Sequence, residues 1–141
     1  MRLRSEVRAP RSLAAEWMMN CPSAAATVRH AFDNMELLLM AKYGLCGRIV
    51  ATSGNGEKLA GYLLDAASAL QGVEGCDLYL VSLDPDDVDS VWVVEVWESA
   101  EAHQASLSLE AVQELIQQAR PIIASMAERF EMSTLGGKGL R

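Results

Sequence analysis

Residues 91–97 read VWVVEVW, and no other stretch restricts the fold so tightly. An unbroken row of β-branched and aromatic side chains predicts a strand. Side chains along a strand alternate between two faces. Val91, Val93, Glu95 and Trp97 would share one face, and Trp92, Val94 and Val96 the other. Both sets are mainly apolar, so both faces need a cover. Ser99 then suits a helix N-cap, and Glu101 places negative charge in the first turn. The strand therefore hands over to a helix carrying His103. A carboxylate, an indole and an imidazole fall within nine positions of one strand–helix junction. Such junctions favour chemistry, because the sheet holds the side chains still.

The rest of the chain supplies partners for this strand. Tyr43–Thr52 reads as a strand, and Gly54 and Gly56 break it. Glu57–Gln71 predicts a helix with Leu59, Leu63, Ala66, Ala67 and Leu70 on one face, ended by Gly72 and Gly75. Asp77–Leu83 is a second strand, and Asp84-Pro85-Asp86-Asp87 turns the chain back into Val91–Trp97 as its hairpin partner. A longer helix begins after Ser108 and is disturbed at Pro121. Glu128–Leu135 alternates as a last strand, before the tail Gly136-Gly137-Lys138-Gly139. The order strand, helix, strand, strand, helix, strand is the ferredoxin-like split βαβ arrangement, an α+β fold with an antiparallel sheet. Its helices cover one sheet face. With both faces of the central strand apolar, a second copy of the chain is expected on the other face, since a monomer would expose a large apolar patch.

A chain of 141 residues suggests one domain, here residues 42–141, and its 50% hydrophobic content suffices for one core. Residues 1–41 form an N-terminal extension of different composition. The first forty carry five Arg and four acids, against seven bases and fifteen acids in 41–141. From Ser23 to Met40 a partly helical run is expected, and the extension reads as poorly ordered, or as preceding a true start at Met35 or Met40. A subunit-wrapping arm is the alternative; Glu6 and Glu16 speak against an organellar address. The net charge of −7 argues against nucleic-acid binding. No apolar run reaches the roughly 20 residues of a membrane span. Cys21, Cys46 and Cys76 lack metal-like spacing, and reduced thiols in a cytoplasmic protein are expected.

Glu95 lies between valines, so its carboxylate needs a partner or a raised pKa. It could orient a base or hold a substrate hydroxyl; a pair with Arg48, the one charge in the first strand, is the plainer expectation. His103 is the one histidine of the domain body, and imidazole suits proton abstraction from a phenol-like hydroxyl. Trp97 and Trp92 should point to opposite faces, one towards the helices and one towards the second copy. Gly54-Asn55-Gly56 lacks the third glycine of a dinucleotide loop. Asp84, Asp86, Asp87 and Asp89 lack the glycine and closing glutamate of a calcium loop. No metal site is expected.

Glu95-Val96-Trp97 followed by His103-Gln104-Ala105-Ser106-Leu107, with Gly75-Cys76 and Tyr79 upstream and Gly136-Gly137-Lys138-Gly139 at the end, resembles the antibiotic biosynthesis monooxygenase (ABM) family, and within it the quinol monooxygenases. The resemblance spans about residues 42–140. It implies a dimeric α+β barrel and oxidation of a quinol or polycyclic phenol by O₂ without flavin or metal, hence no cofactor. It places Trp97 and His103 in the substrate pocket, with Glu95 at the motif glutamate. Haem-degrading members use a strand Asn where this chain has Val93. The expected enzyme uses His103 as base or hydrogen-bond partner, Trp97 as aromatic wall and Glu95 with Arg48 as an orienting pair. Tyr79 and Ser106 are further substrate contacts. The expected partners are a second copy, a small aromatic substrate and O₂, with neither nucleic acid nor membrane. A non-catalytic dimeric binding or stress-response module, or a haem-binding member of the fold, are the other readings.

Overall fold

The computed structural model describes residues 35–140. Cys21 and most of the Ser23–Met40 run lie outside them. The sheet, helices and cavity all belong to the second of the chain's two units, Leu37–Arg141.

The elements are β1 (Lys42–Ala51), α1 (Gly56–Ala69), β2 (Cys76–Leu83), β3 (Ser90–Trp97), α2 (Ala100–Ser106), α3 (Glu110–Ala119), a 3₁₀ turn (Arg120–Ile122) and β4 (Ile123–Thr134). Every strand pairing is antiparallel, in the order β2-β3-β1-β4. This is the α+β, ferredoxin-like arrangement expected from the sequence. The two central strands are β1 and β3, so the valine-rich ribbon is hydrogen-bonded on both sides.

Local chemistry sets the junctions. Gly54 adopts φ +80°, a left-handed conformation that a side chain would strain. Its N–H and that of Gly56 donate to Asp89, at 3.0–3.1 Å, which ties the start of α1 to the β2–β3 hairpin. The acidic turn is thus a structural fastening. Asp89 holds α1, Asp84 accepts from the Trp92 indole at 2.9 Å, and Asp87 accepts from the Ser90 hydroxyl at 2.7 Å. Ser99 caps α2 as expected, its Oγ accepting from the Ala102 N–H at 3.1 Å. Pro121 sits in the 3₁₀ turn that ends α3.

Register assigns the faces. Tyr43, Leu45, Gly47 and Ile49 stand opposite Trp97, Glu95, Val93 and Val91, on the face covered by α1 and α3. Two core clusters form there. One gathers Leu59, Ala60, Val91 and Ala119; the other gathers Leu70, Trp97 and Val112. The opposite face carries Cys46, Trp92, Val94, Leu80, Phe130 and Met132. Leu80, Phe130 and Met132 are half-exposed on it. Trp97 and Trp92 do point to opposite faces, Trp97 inward.

Two expectations need correction. The last strand begins at Ile123, five residues before the expected Glu128, and runs to Thr134. Its pairing with β1 shifts between Arg48 and Ile49 and again between Val50 and Ala51. Each shift inserts an extra residue, so the period-2 pattern breaks twice and hides the strand. The second correction concerns Arg48. It pairs across from Trp92, an odd number of positions from Leu45, and therefore lies on the face away from Glu95. Its guanidinium binds Glu128 in a fork, with Nη2 to Oε1 at 2.9 Å, and Nη1 donates to Ser90 at 3.2 Å. It also lies 5.8 Å from the Trp92 ring centre. No Arg48–Glu95 pair exists.

Candidate active site

A cavity of about 340 Å³ lies between the covered sheet face and the helices α1, α2 and α3. Its sheet wall includes Leu45 and Ile49 from β1, Tyr79 from β2, Glu95 and Trp97 from β3, and Met126 and Arg129 from β4. Most of the lining is aliphatic; the polar groups gather near the end of β3.

Glu95, Trp97 and His103 meet there. Adjacent same-face positions on β3 place Glu95 beside Trp97, and the indole Nε1–H donates to Glu95 Oε2 at 2.7 Å. The capped α2 brings His103 over both: its Nε2 lies 3.7 Å from the same carboxylate oxygen, and its ring stands edge-on to the Trp97 indole at 5.6 Å. All three are buried. At 3.7 Å the carboxylate and imidazole are close enough to feel each other's charge, but too far for a direct hydrogen bond. The imidazole is therefore not saturated by its neighbour. Tyr43 completes the enclosure, its ring 5.7 Å from that of His103.

Electrostatics follow from this burial. Desolvation lifts the Glu95 carboxyl above the usual glutamate range, against the Trp97 hydrogen bond and the charges of His103 and Arg129, which pull it down. Tyr79 is pushed up strongly, first by burial and then by the nearby Glu95 and Cys76. Its hydroxyl has no hydrogen-bond partner among the described residues and is available to a ligand. Burial also raises the Cys76 thiol, which makes it a poor nucleophile near neutral pH.

The sequence-derived site is thus largely assembled in one place. Glu95, Trp97, His103, Tyr79 and Ser106 all line the cavity. Two details differ. Trp97 is 0% exposed, so it presents no free face for stacking and instead holds the carboxylate. Ser106 spends its hydroxyl proton on the His103 carbonyl, at 2.7 Å, which leaves only its lone pairs to a ligand. Arg48 lies outside, as its register requires. The cation that does reach the cavity is Arg129, whose Nη2 donates to Glu131 at 2.9 Å and to the Tyr43 hydroxyl at 3.2 Å. Sequence reasoning missed it because the apolar residues of this part of β4, Phe130 and Met132, face away from the helices, and the polar alternates Arg129 and Glu131 face towards them.

The antibiotic biosynthesis monooxygenase family model matches residues 43–118, which contain every one of these residues except Arg129 and the rest of β4. The chain belongs to the antibiotic biosynthesis monooxygenase family. A crystal structure from Chloroflexus aurantiacus, provisionally named for this family, is 42% identical. It matches with a TM-score of 0.67 over 72% of this chain and 100% of that one. A Pseudomonas aeruginosa protein, 18% identical, shares the fold with a TM-score of 0.61 over 68% of this chain and 96% of its own. A Deinococcus radiodurans protein, 22% identical, does so with a TM-score of 0.57 over 70% and 96%. No curated protein matches. Among the described residues no helix is long and apolar enough to cross a membrane.

Glu95 makes this ABM site costly to fold. A folded-state pKa above the unfolded value near 4.3 means that the carboxyl adds most to stability when protonated, below that value. The contribution is lost as pH rises through the folded pKa. A tenfold gain in proton affinity corresponds to roughly 1.4 kcal/mol. Glu95→Gln keeps an oxygen for the Trp97 indole and has no charge to bury. Its Tm should exceed wild type at neutral pH, by about 3–5 °C for each kcal/mol regained. That advantage should vanish as the pH falls to about 4, as thermal melts across pH will show. An unchanged or lowered Tm at neutral pH contradicts the assignment.

Proposed function

We propose that this ABM-family chain is a cofactor-independent monooxygenase that oxidises a phenolic or quinol ring with O₂. The observation that carries the reading is the meeting of Glu95, Trp97 and His103 in one apolar cavity. Family membership supports an oxygenase role. An electron-rich ring can reduce O₂ itself once its hydroxyl loses a proton, so the protein has to bind the ring, remove the proton and exclude water. In the simplest balanced form, one quinol and one O₂ give a hydroxyquinone and one water. One oxygen atom enters the ring and the other leaves as water, and the ring supplies all the electrons.

His103 takes the hydroxyl proton. Its imidazole is within reach of a ligand in the cavity, and the Glu95 carboxylate steadies the imidazolium that forms. Trp97 works through Glu95, fixing the oxygen that faces His103. Tyr79 and the Ser106 lone pairs hold the substrate's oxygens. The working unit is a homodimer, with the half-exposed Leu80, Phe130 and Met132 of the open sheet face packed against a second copy. The free thiols of Cys46 and Cys76 suit a reducing, cytoplasmic setting.

Oxygen uptake with a panel of hydroquinols should exceed autoxidation, and His103→Ala should lower the rate by about 10²-fold or more. Equal rates in wild type and variant remove His103 from the mechanism. Ligand-induced thermal stabilisation without oxygen consumption would favour a non-catalytic binding module instead. Sedimentation should give twice the 15.3 kDa chain mass, and a monomer at micromolar concentration would refute the dimer.

A further inference from the structure

The cavity sorts its chemistry along its length. Glu95, His103, Tyr79 and Ser106 mark one end, beside the core cluster of Leu70, Trp97 and Val112. Ile49, Leu59, Leu63, Ala119 and Ile123 mark the other, beside the cluster built on Leu59 and Val91. The distance between ends is set by the elements that span it. On α1 the lining runs from Leu70 back to Leu59, eleven positions at about 1.5 Å each, or roughly 16 Å. On β1 it runs from Leu45 to Ile49, about 13 Å at strand rise.

From these walls we infer that the substrate is a phenol or quinol of one ring that carries a flexible aliphatic chain, rather than a fused polycycle. The inference rests on the reading of the polar end as the ring-binding end. A ring hydroxyl reaching His103 and Glu95 leaves the rest of the cavity to be filled. The walls there are aliphatic side chains from α1, α3, β1 and β4, with Tyr62 the one aromatic ring among them, and Arg129, opposite Gly47, stands between the two ends. Stacking surfaces suited to an extended flat ring system are otherwise missing from that end. Trp97 and Tyr79 lie at the polar end, and Trp97 is wholly buried. A flexible chain conforms to an uneven aliphatic wall, whereas a rigid polycycle requires a slot. Ile116 and Met126 are partly exposed along this arm, at 38% and 64%, so the chain can thread in beside them.

Isothermal titration calorimetry with para-alkylphenols, from methyl to heptyl, tests the inference on the intact chain without requiring turnover. A three-ring phenol of matched carbon number is the competing probe. Affinity should rise by about fourfold per methylene through the first several carbons, the transfer free energy of a buried CH₂. The three-ring phenol should bind more weakly than the heptyl compound. Ala119→Leu fills the far end of the arm and should cut the heptyl-to-methyl affinity ratio at least tenfold. If that variant does not fold, Ile116→Trp, at a partly exposed position, makes the same test. A flat chain-length series, or tighter binding of the three-ring phenol, overturns the inference. Oxygen uptake measured beside it separates the two claims. Chain-length dependence without turnover removes the oxygenase reading and keeps the substrate class; turnover with a flat series does the reverse.

Discussion

The hydrogen bond from the Trp97 indole to the Glu95 carboxylate organises the site. It joins two same-face neighbours on the central strand and fixes one carboxylate oxygen inside an apolar wall. A buried charge needs such a partner, because desolvation alone would drive it to neutrality. The same oxygen faces His103 without binding it directly. The pair therefore sets up a polar corner whose imidazole still has capacity for a ligand. Destabilised carboxylates of this kind are found where function, rather than folding, selects the residue.

Everything around that bond serves to hold it. β1 and β2 flank β3, which keeps the ribbon central. Ser99 caps α2 immediately after the strand and sets the angle at which His103 swings over the indole. Asp89 pins α1 to the hairpin, so the far wall of the cavity stays at a fixed distance from the sheet. The opposite sheet face has its own polar fastening in Arg48, Glu128, Ser90 and Trp92. That cluster is separated from the cavity by the thickness of the sheet.

Much of this was legible in the sequence, for physical reasons. Val91–Trp97 announced a strand through β-branching, and its alternation placed Glu95 with Trp97 and opposed Trp92. Ser99 announced the helix, and hence the position of His103. Pairing across strands was not legible, because register depends on bulges that composition does not reveal. Arg48 was assigned to Glu95 before its place in the unbroken β1–β3 register was known; it stands opposite Trp92, an odd step from Leu45 and so on the other side. Arg129 stayed hidden because β4 turns its polar alternates, and not Phe130 and Met132, towards the helices, and Trp97 looked like a stacking wall until its burial showed it to be a support. The family resemblance survived these errors, since it rested on short local motifs, above all those of the β3–α2 junction, and not on pairing across strands.

The claim that matters most is that a carboxylate buried beside an indole stays available to an imidazole in an apolar pocket. The Trp97 indole N–H resonance reports on it directly, because its hydrogen-bond acceptor is the titrating group. Followed by ¹H–¹⁵N NMR from acid to neutral pH, it should show a step with a midpoint above the ordinary glutamate value of about 4.3, and that step should be absent in Glu95→Gln. A resonance that ignores pH, or a midpoint at or below that ordinary value, would contradict the account.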